Sequence, residues 1–464
     1  MIRLHDVLAG TGGRLHGDAP DDLLFTGVIH DSRLVREGYL FVALHGEFAD
    51  GHDYIPQAIQ AGAAGALVDE AWLSAQERVE IPVIVVEDTL AALHRLATYW
   101  RGLFEPRVVG ITGSIGKSST KEVVAAVAAA SFRVTKSVGS YNNEVGLPIS
   151  VLELNPDVEV AVWEMGGAYR MGEISELAEI ARPDIGVVTN VTHSHLARMG
   201  SLDAIAATKV ELVAALPEHG LALLNYDDER VRAMAAHARC RVVTYGLDPK
   251  ADLRAEDVEG LGREGIRFTL VRDGQADRVT IPLLGRHSVY LALAGIGVGF
   301  ELGMDLPAIL RGFEAPDVQL RLILTPALNG ATILDDHYNA NPASCNAALT
   351  LLEDLDANRR LAVFGDMLEM GDFEEEAHRI VGRRAAEVVD GLLTVGPRAR
   401  YIHDEFRQLR PERLAEHFDT KEDLVKRLRE VMAEGDLILV KGSRGVQMET
   451  VIEAVRTIEP GVAS

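Results

Sequence analysis

The sequence predicts an α/β protein of three units, and three observations predict it. Runs of β-branched residues alternate with alanine- and leucine-rich helical stretches through most of its 464 residues, the pattern of mostly parallel sheets covered by helices. That length is more than one hydrophobic core organises. One strand candidate, residues 108–112, runs directly into a glycine-rich turn and a Gly-Lys-Ser triplet that opens a helix.

Up to about residue 105 the strand candidates are 40–44 and 81–86. An alanine-rich helix over 55–64 lies between them, and a second helix runs to Trp100. Phe104-Glu105-Pro106 reads as a linker, because the residue before a proline resists helix. From 106 to 316 the alternation becomes regular, with strand candidates at 108–112, 158–164, 185–190, 221–225 and 242–245. Residues 254–284 read instead as an antiparallel ribbon. From 317 to 464 a further alternation has strand candidates at 332–335, 361–364, 392–395 and 437–440. It reads as a Rossmann-like unit, but no G-x-G-x-x-G follows any of these strands, so a dinucleotide is not expected.

Composition sets the class. Hydrophobic residues at 47% and charged residues at 25% describe a soluble globular protein. A net charge of −24 argues against nonspecific binding to nucleic acid or anionic membrane. It leaves room for anionic small ligands in a cleft where a few basic groups converge. The two cysteines, Cys240 and Cys345, are expected as free thiols in a reducing compartment. The N-terminus opens with charged residues and lacks an apolar signal core, and the apolar run 289–300 is too short to span a bilayer. A cytoplasmic protein without a membrane span is expected.

The segment from Val108 to Thr120 carries most of the functional signal. Thr112, Gly113, Ser114, Ile115, Gly116, Lys117, Ser118 and Ser119 form a turn whose backbone N–H groups, backed by a helix N-terminus, suit an anionic phosphate. Lys117 brings charge to the outer phosphates, and the Ser118 hydroxyl suits Mg²⁺. The spacing is G-I-T-G-S-x-G-K-S, with Gly110 and Gly113 in place of a glycine at 111. ATP or a relative is the expected ligand.

Other polar clusters fall where strands end, which is where open parallel sheets gather ligands. Glu164, followed by Met165-Gly166-Gly167, either serves the Mg²⁺ held by Ser118 or caps the next helix. In Asn190-Val191-Thr192-His193-Ser194-His195 the two histidines are either loop residues or metal or water ligands. Lys209 lies in a helical run and reads locally as a surface lysine. Asp335-Asp336-His337-Tyr338-Asn339-Ala340-Asn341-Pro342 is richer in polar groups than a turn requires. Lys441-Gly442-Ser443-Arg444-Gly445 reads either as a carboxylate or phosphate clamp or as a solvated loop.

Taken together, the glycine loop, Glu164, the Asn190–His195 loop and Lys209 resemble the central ATPase unit of the Mur ligases. The resemblance covers essentially the whole chain. Asp31-Ser32-Arg33 and the segment 41–52 are similar to the UDP-binding unit of that family. The resemblance implies three domains: a small α/β UDP-binding domain (1–105), a central P-loop ATPase domain with a mostly parallel sheet (106–316), and a C-terminal Rossmann-like domain (317–464). Asn142-Asn143-Glu144-Val145-Gly146-Leu147-Pro148, the Tyr-Asn-Ala-Asn-Pro core and Gly365-Asp366-Met367-Leu368-Glu369-Met370-Gly371 resemble one branch of the family. That branch adds D-alanyl-D-alanine to UDP-N-acetylmuramoyl-tripeptide in peptidoglycan precursor synthesis.

Carried over position by position, the resemblance implies the following roles. Lys117 and the loop hold phosphates, while Ser118 and Glu164 serve one Mg²⁺. His195 serves a second Mg²⁺ together with Lys209, which is similar to a lysine carbamylated by CO₂ in this family. His287, Arg321 and Asp336 border the nucleotide. Ser32, Arg33, Asn142, Asn143, Tyr338, Asn339, Asn341, Lys441 and Arg444 border the two substrates. A monomer is expected. Several positions depart from the family pattern: Ser288 and Leu291 replace asparagines, and His337 replaces a serine. Leu320 also stands where a glycine commonly precedes Arg321. Alternatives of other kinds are a related ligase with another acyl acceptor or amine, a nucleotide-binding homologue without turnover, and a plain phosphotransferase or GTPase.

Overall fold

A computed structural model describes residues 1–46, 49–167, 170–192, 199–315 and 323–457. Three large sheets follow one another along the chain. The first has five strands in the order Arg14–His16, Val83–Val86, Gly65–Asp69, Tyr39–Val42, Gly27–Ile29. It is parallel except for the Arg14–His16 edge. Ile2–Arg3 and Leu24–Phe25 form a separate antiparallel pair.

The central sheet has nine strands. From one edge they are Val134–Lys136, Val160–Glu164, Arg107–Thr112, Ile185–Val188, Leu221–Asn225, Arg241–Gly246, Leu253–Gly260, Ile266–Arg272 and Gln275–Ile281. The first seven run parallel, and the last two add an antiparallel ribbon at the far edge. The third sheet has six strands in the order Ile323–Pro326, Thr332–Asp336, Asp436–Lys441, Arg359–Gly365, Gly391–Val395, Leu414–Phe418. All but its Ile323–Pro326 edge are parallel.

Side chains that alternate along each strand fill two cores, one on each face of a sheet. In the third sheet Ala362 and Phe364 enter one core while Leu361 and Val363 enter the other. In the central sheet Val109, Ile111, Val160 and Val162 face the helices Lys117–Ala129 and Val289–Glu301. Val108, Ala161 and Trp163 face the opposite way, into a core shared with Leu40, Val42 and Leu67 of the first sheet. The apolar run near residue 290 is thus a buried helix. Among the described residues no helix is long and apolar enough to cross a membrane.

The expected ribbon at 254–284 is present, and the expected main strands form with shifted ends. The helix expected over 55–64 stops at Gln60, closed by Gly62 at φ +100°. Edge strands such as Val134–Lys136 and Leu414–Phe418 were not expected, because they are short and polar. Both cysteines are free, Cys345 fully buried.

Candidate active site

The site starts where the buried strand Arg107–Thr112 ends. Gly113 takes φ +142° and Gly116 φ +82°, backbone that side chains with a Cβ rarely adopt, and the helix begins at Lys117. The turn is stapled from the neighbouring strand. Ser114 N donates to Asn190 O (2.9 Å), Ile115 N to Asn190 Oδ1 (2.9 Å), and Asn190 Nδ2 to Ile115 O (3.0 Å). Thr189 Oγ1 adds a bond to Ile115 O at 2.7 Å. Thr112 is buried, with its hydroxyl bonded to Met165 O at 2.8 Å. The Lys117 ammonium lies over the loop, 2.8 Å from Gly113 O and 3.1 Å from Ser114 O.

One turn of loop away, Glu164 ends the neighbouring strand and is only 1% exposed. Ser118 Oγ donates to Glu164 Oε2 at 2.6 Å, and Asn142 Nδ2 donates to Glu164 Oε1 at 2.7 Å. Three residues far apart in sequence thus meet on one carboxylate. Of the two roles open to Glu164, capping the next helix is not the one seen: that helix starts at Glu173, after a glycine. The adjacent Ser118 and Glu164 oxygens are hard donors of the kind Mg²⁺ takes, so the residues fit that ion.

Lys209 is not a surface lysine. It is 3% exposed in the helix Leu202–Ala215, and its Nζ donates to Gly167 O at 2.5 Å. Burial, with the Lys117 charge adding to it, pushes its pKa down to about 7. An ammonium there would repel a cation, so in its protonated form Lys209 does not fit a metal. His195 and Arg321 lie outside the described residues, as does His193.

Across from the loop stand the ends of two parallel-paired strands of the third sheet, Asp336 and Lys441. Lys441 Nζ donates to Asp336 Oδ2 at 2.5 Å and to Asn339 O at 2.8 Å. Arg444 Nη1 donates to the Tyr338 hydroxyl at 2.7 Å, with its guanidinium over the Tyr338 ring. That hydroxyl also bonds Ser140 Oγ, joining the third unit to the central one. Asn341 Oδ1 accepts from Ser344 N (2.9 Å) and caps the helix Pro342–Asp354. Asn339 Oδ1 accepts from Ala340 N (2.9 Å). His337 leans on Asp335, Nδ1 to Oδ1 at 2.5 Å.

His287 lies beside Gly285, just before the helix Val289–Glu301, and burial pushes its pKa down to about 4, with the Lys441 charge adding to the effect. It is a neutral imidazole at neutral pH. The Ser288 hydroxyl donates to Leu284 O at 2.6 Å, and Leu291 approaches Gly116. Asn143 Oδ1 accepts from Gly146 N (2.9 Å). Ser32 and Arg33 sit in the first unit with local bonds, Ser32 Oγ to Gln57 at 2.9 Å and Arg33 forked onto Asp31 at 2.6 and 2.9 Å.

Two contributors, Thr189 and Ser137, lay outside sequence reasoning, and Asn190 was legible only as the start of a polar loop. Thr189 and Asn190 staple the turn, and a polar pair ending the strand beside the loop was the available signal. Ser137, whose Oγ accepts the Glu164 N–H at 3.1 Å, carried none.

Comparison with known proteins extends this geometry. Residues 24–101, 111–299 and 321–444 match, in turn, the family models described as Mur ligase family catalytic domain, Mur ligase middle domain, and Mur ligase glutamate ligase domain. The UDP-N-acetylmuramoyl-tripeptide–D-alanyl-D-alanine ligase of Bacillus subtilis is 36% identical, over 95% of each chain. The enzyme of that name from Escherichia coli is 35% identical over 98% of each. The solved structure of MurF from Acinetobacter baumannii superposes with a TM-score of 0.84 at 28% identity, covering 97% of this chain and 98% of that one. MurF from Thermotoga maritima, solved with ADP, gives 0.77 at 28% identity over 93% and 97%.

Proposed function

This chain belongs to the Mur ligase family, and from that premise we infer that it is an ATP-dependent ligase joining D-alanyl-D-alanine to UDP-N-acetylmuramoyl-tripeptide in peptidoglycan precursor synthesis. The observation that carries the reading is the convergence of Ser118 and Asn142 on Glu164 beside the phosphate loop, under a third unit that reaches over through Tyr338. We set the domain limits at 105/106 and 316/317. The enzyme acts as a cytoplasmic monomer.

In this mechanism the γ-phosphate passes to the tripeptide carboxylate, and the dipeptide amine then displaces phosphate from the acyl phosphate. Backbone N–H groups of 113–119 and the Lys117 ammonium hold the phosphates in line with the carboxylate, so positioning and charge neutralisation dominate. Ser118 and Glu164 would hold one Mg²⁺, which supplies positive charge where the two anions meet. Asn142, fixed on Glu164, orients that carboxylate from its far side. His287 and Asp336 border the nucleotide; Ser32 and Arg33 take the UDP end of the acceptor. Tyr338, Asn339, Lys441 and Arg444 line the side from which the dipeptide enters. Closure of the third unit excludes water, which would otherwise hydrolyse the acyl phosphate.

Lys209 enters this reading as a carbamate. An amine with a pKa near 7 is largely unprotonated just above neutrality and adds to CO₂, losing one proton and gaining a carboxylate. That converts a cation into an anionic oxygen donor, which with His195 would serve a second Mg²⁺. Incubation with ¹³C-bicarbonate is expected to give a carbamate carbon resonance that Lys209→Ala lacks. Lys209→Ala is expected to lose ligation and to regain part of it with added short carboxylic acids. Full activity of Lys209→Ala in CO₂-free buffer overturns the carbamate.

The deciding experiment measures phosphate release from Mg·ATP with the UDP-tripeptide in bicarbonate buffer, with and without D-alanyl-D-alanine. Release that requires the dipeptide, with one amide product by mass spectrometry, is the expected result. ATP binding without release under any substrate combination overturns the reading.

A further inference from the structure

We propose that Lys121 is a positioning residue for the ligase reaction, holding residues 137–143 as the joint through which the phosphate-loop helix sets both the Glu164 cluster and the closure of the third unit. The proposal rests on the function inferred above for its kinetic part, and on geometry alone for its structural part.

Lys121 lies one helical turn beyond Lys117 and is 0% exposed. Burying an ammonium is costly unless each of its protons is bonded, and here all three have acceptors. Nζ donates to Ser137 O and Gly139 O, both at 2.7 Å, and lies 3.1 Å from Glu122 Oε1. The other Glu122 oxygen takes Lys136, at the end of the strand that leads into the segment. A methionine would fill the same space without the desolvation cost. The charge is therefore explained by what it grips, two carbonyls of a loop that bends at Gly139 (φ +51°) and has no regular hydrogen-bond ladder of its own.

That loop meets the Glu164 cluster on one side and the other two units on the others. Ser137 Oγ accepts from Glu164 N at 3.1 Å, so the residue gripped by Lys121 also fixes the backbone of the catalytic carboxylate. Asn142 reaches the carboxylate itself, and Asn142 O accepts from Gly166 N at 2.7 Å. Ser140 bonds the Tyr338 hydroxyl of the third unit, which Arg444 holds from the other side. The Tyr141 ring faces His30 of the first unit, with centroids 6.2 Å apart. Within seven residues the loop contacts all three units. A change in the phosphate-loop helix moves Ser137 and Gly139 through Lys121, and through them the groups on either side.

Lys121→Met in the full chain tests this with two readouts. The first is hydrogen exchange with Mg·ATP alone, which needs no turnover. Peptides covering 137–143 are expected to exchange roughly tenfold faster than in the unaltered chain, while the helix interior at 123–128 is unchanged. The second is kinetics. The value of kcat is expected to fall roughly tenfold with KM for ATP held within about twofold, and Lys121→Arg, still able to donate to both carbonyls, to recover part of it. In a Tyr338→Phe background the Lys121→Met loss is expected to shrink, because both act on one joint. Unchanged exchange at 137–143 overturns the proposal, as does an additive double variant. If the unaltered chain forms no amide, the inferred reaction fails while the exchange result still decides the role of Lys121. Where Lys121→Met does not fold, Lys121→Arg serves the exchange comparison, with faster exchange at 137–143 than in the unaltered chain expected, and unchanged exchange at no cost in kcat overturning the joint.

Discussion

Single atoms decide the conformation of the phosphate loop. A Cβ on Gly113 would stand 2.0 Å from Thr189 Oγ1 and 3.1 Å from Asn190 N, on backbone at φ +142°. Gly113→Ala therefore breaks the Thr189 bond to Ile115 O and adds backbone strain of about 1–3 kcal/mol. Relief of that strain by loop movement is expected to lower nucleotide affinity roughly ten- to a hundredfold, measured by titration calorimetry, with the circular dichroism spectrum unchanged. Wild-type affinity in that variant would show that the turn is not the phosphate site. A second residue, His45, makes stability depend on pH. Its ring bridges two carboxylates, Nε2 to Asp69 Oδ2 at 2.7 Å and Nδ1 to Asp50 Oδ2 at 3.2 Å. The bond to Asp69 and the charge of Asp50 raise its pKa above the usual 6.5. The neighbouring His52 bonds Asp50 through Nδ1 at 2.7 Å and takes the Asp69 N–H on Nε2 at 3.2 Å. A raised histidine pKa gives stability that is complete below the unfolded value and is lost as pH rises through the folded one. His45→Gln is thus expected to lower Tm at about pH 6, with the difference from the unaltered chain closing by about pH 9. The effect is modest, because the His45 side chain is 63% exposed and its pairs are screened by solvent.

Elements carry the site by where they stop. The helix Pro342–Asp354 starts at Asn341 with a reciprocal capping box, in which Ser344 N donates to Asn341 Oδ1 at 2.9 Å and Asn341 N donates to Ser344 Oγ at 3.1 Å. Asn341→Ala is expected to cost about 1 kcal/mol in chemical denaturation of the C-terminal unit. It is also expected to loosen Tyr338 and Asn339, raising KM for the dipeptide more than KM for ATP. An equal rise in both would remove Asn341 from the dipeptide side. Such element ends are also where the sequence was most and least readable. Strands with unbroken apolar runs, such as Leu221–Leu224 within Leu221–Asn225, stand as expected, because burial on both faces writes itself as continuous hydrophobicity. The glycine loop and the Asn341-Pro342 start were readable because special backbone demands special residues. Lys209 was not, since a lysine among alanines looks like a helix surface until Gly167, in the loop after the strand ending in Glu164, folds against it. The meeting of Ser118, Asn142 and Glu164 was only half readable. The strand-end position of Glu164 suggested a partnership with Ser118, whereas the Asn142 contact is tertiary and has no local signature.

At the scale of the molecule, the three sheets do not contribute three independent cores. The helix Thr89–Arg101 belongs to the first unit, yet Leu93, Leu96 and Trp100 share a core with Val108, Ala161, Trp163, Ile174 and Leu177 of the central one. The seam is hydrogen-bonded as well. Trp100 Nε1 donates to Leu154 O at 3.0 Å and Arg101 Nε to Ala181 O at 2.8 Å. The third sheet instead has a core on each face whose buried residues come from its own unit, with the partly buried Leu284 of the central unit packed against one of them. It meets the central unit through polar links such as Ser140–Tyr338 and Arg286–Asp354, the latter at 3.3 Å. Domains that share an apolar core unfold together, whereas those joined by polar contacts move and melt apart. Scanning calorimetry is therefore expected to resolve two transitions rather than three. Trp100→Ala, at about 3–5 kcal/mol for a buried aromatic, is expected to lower the transition of the first and central units as one and leave the other in place. Mg·ATP is expected to raise that same joint transition, because the phosphate loop lies within it. Three transitions, or a Trp100→Ala shift confined to the first unit, would mean that the seam does not weld them. The hinge of the ligase would then lie on both sides of the central sheet instead of one.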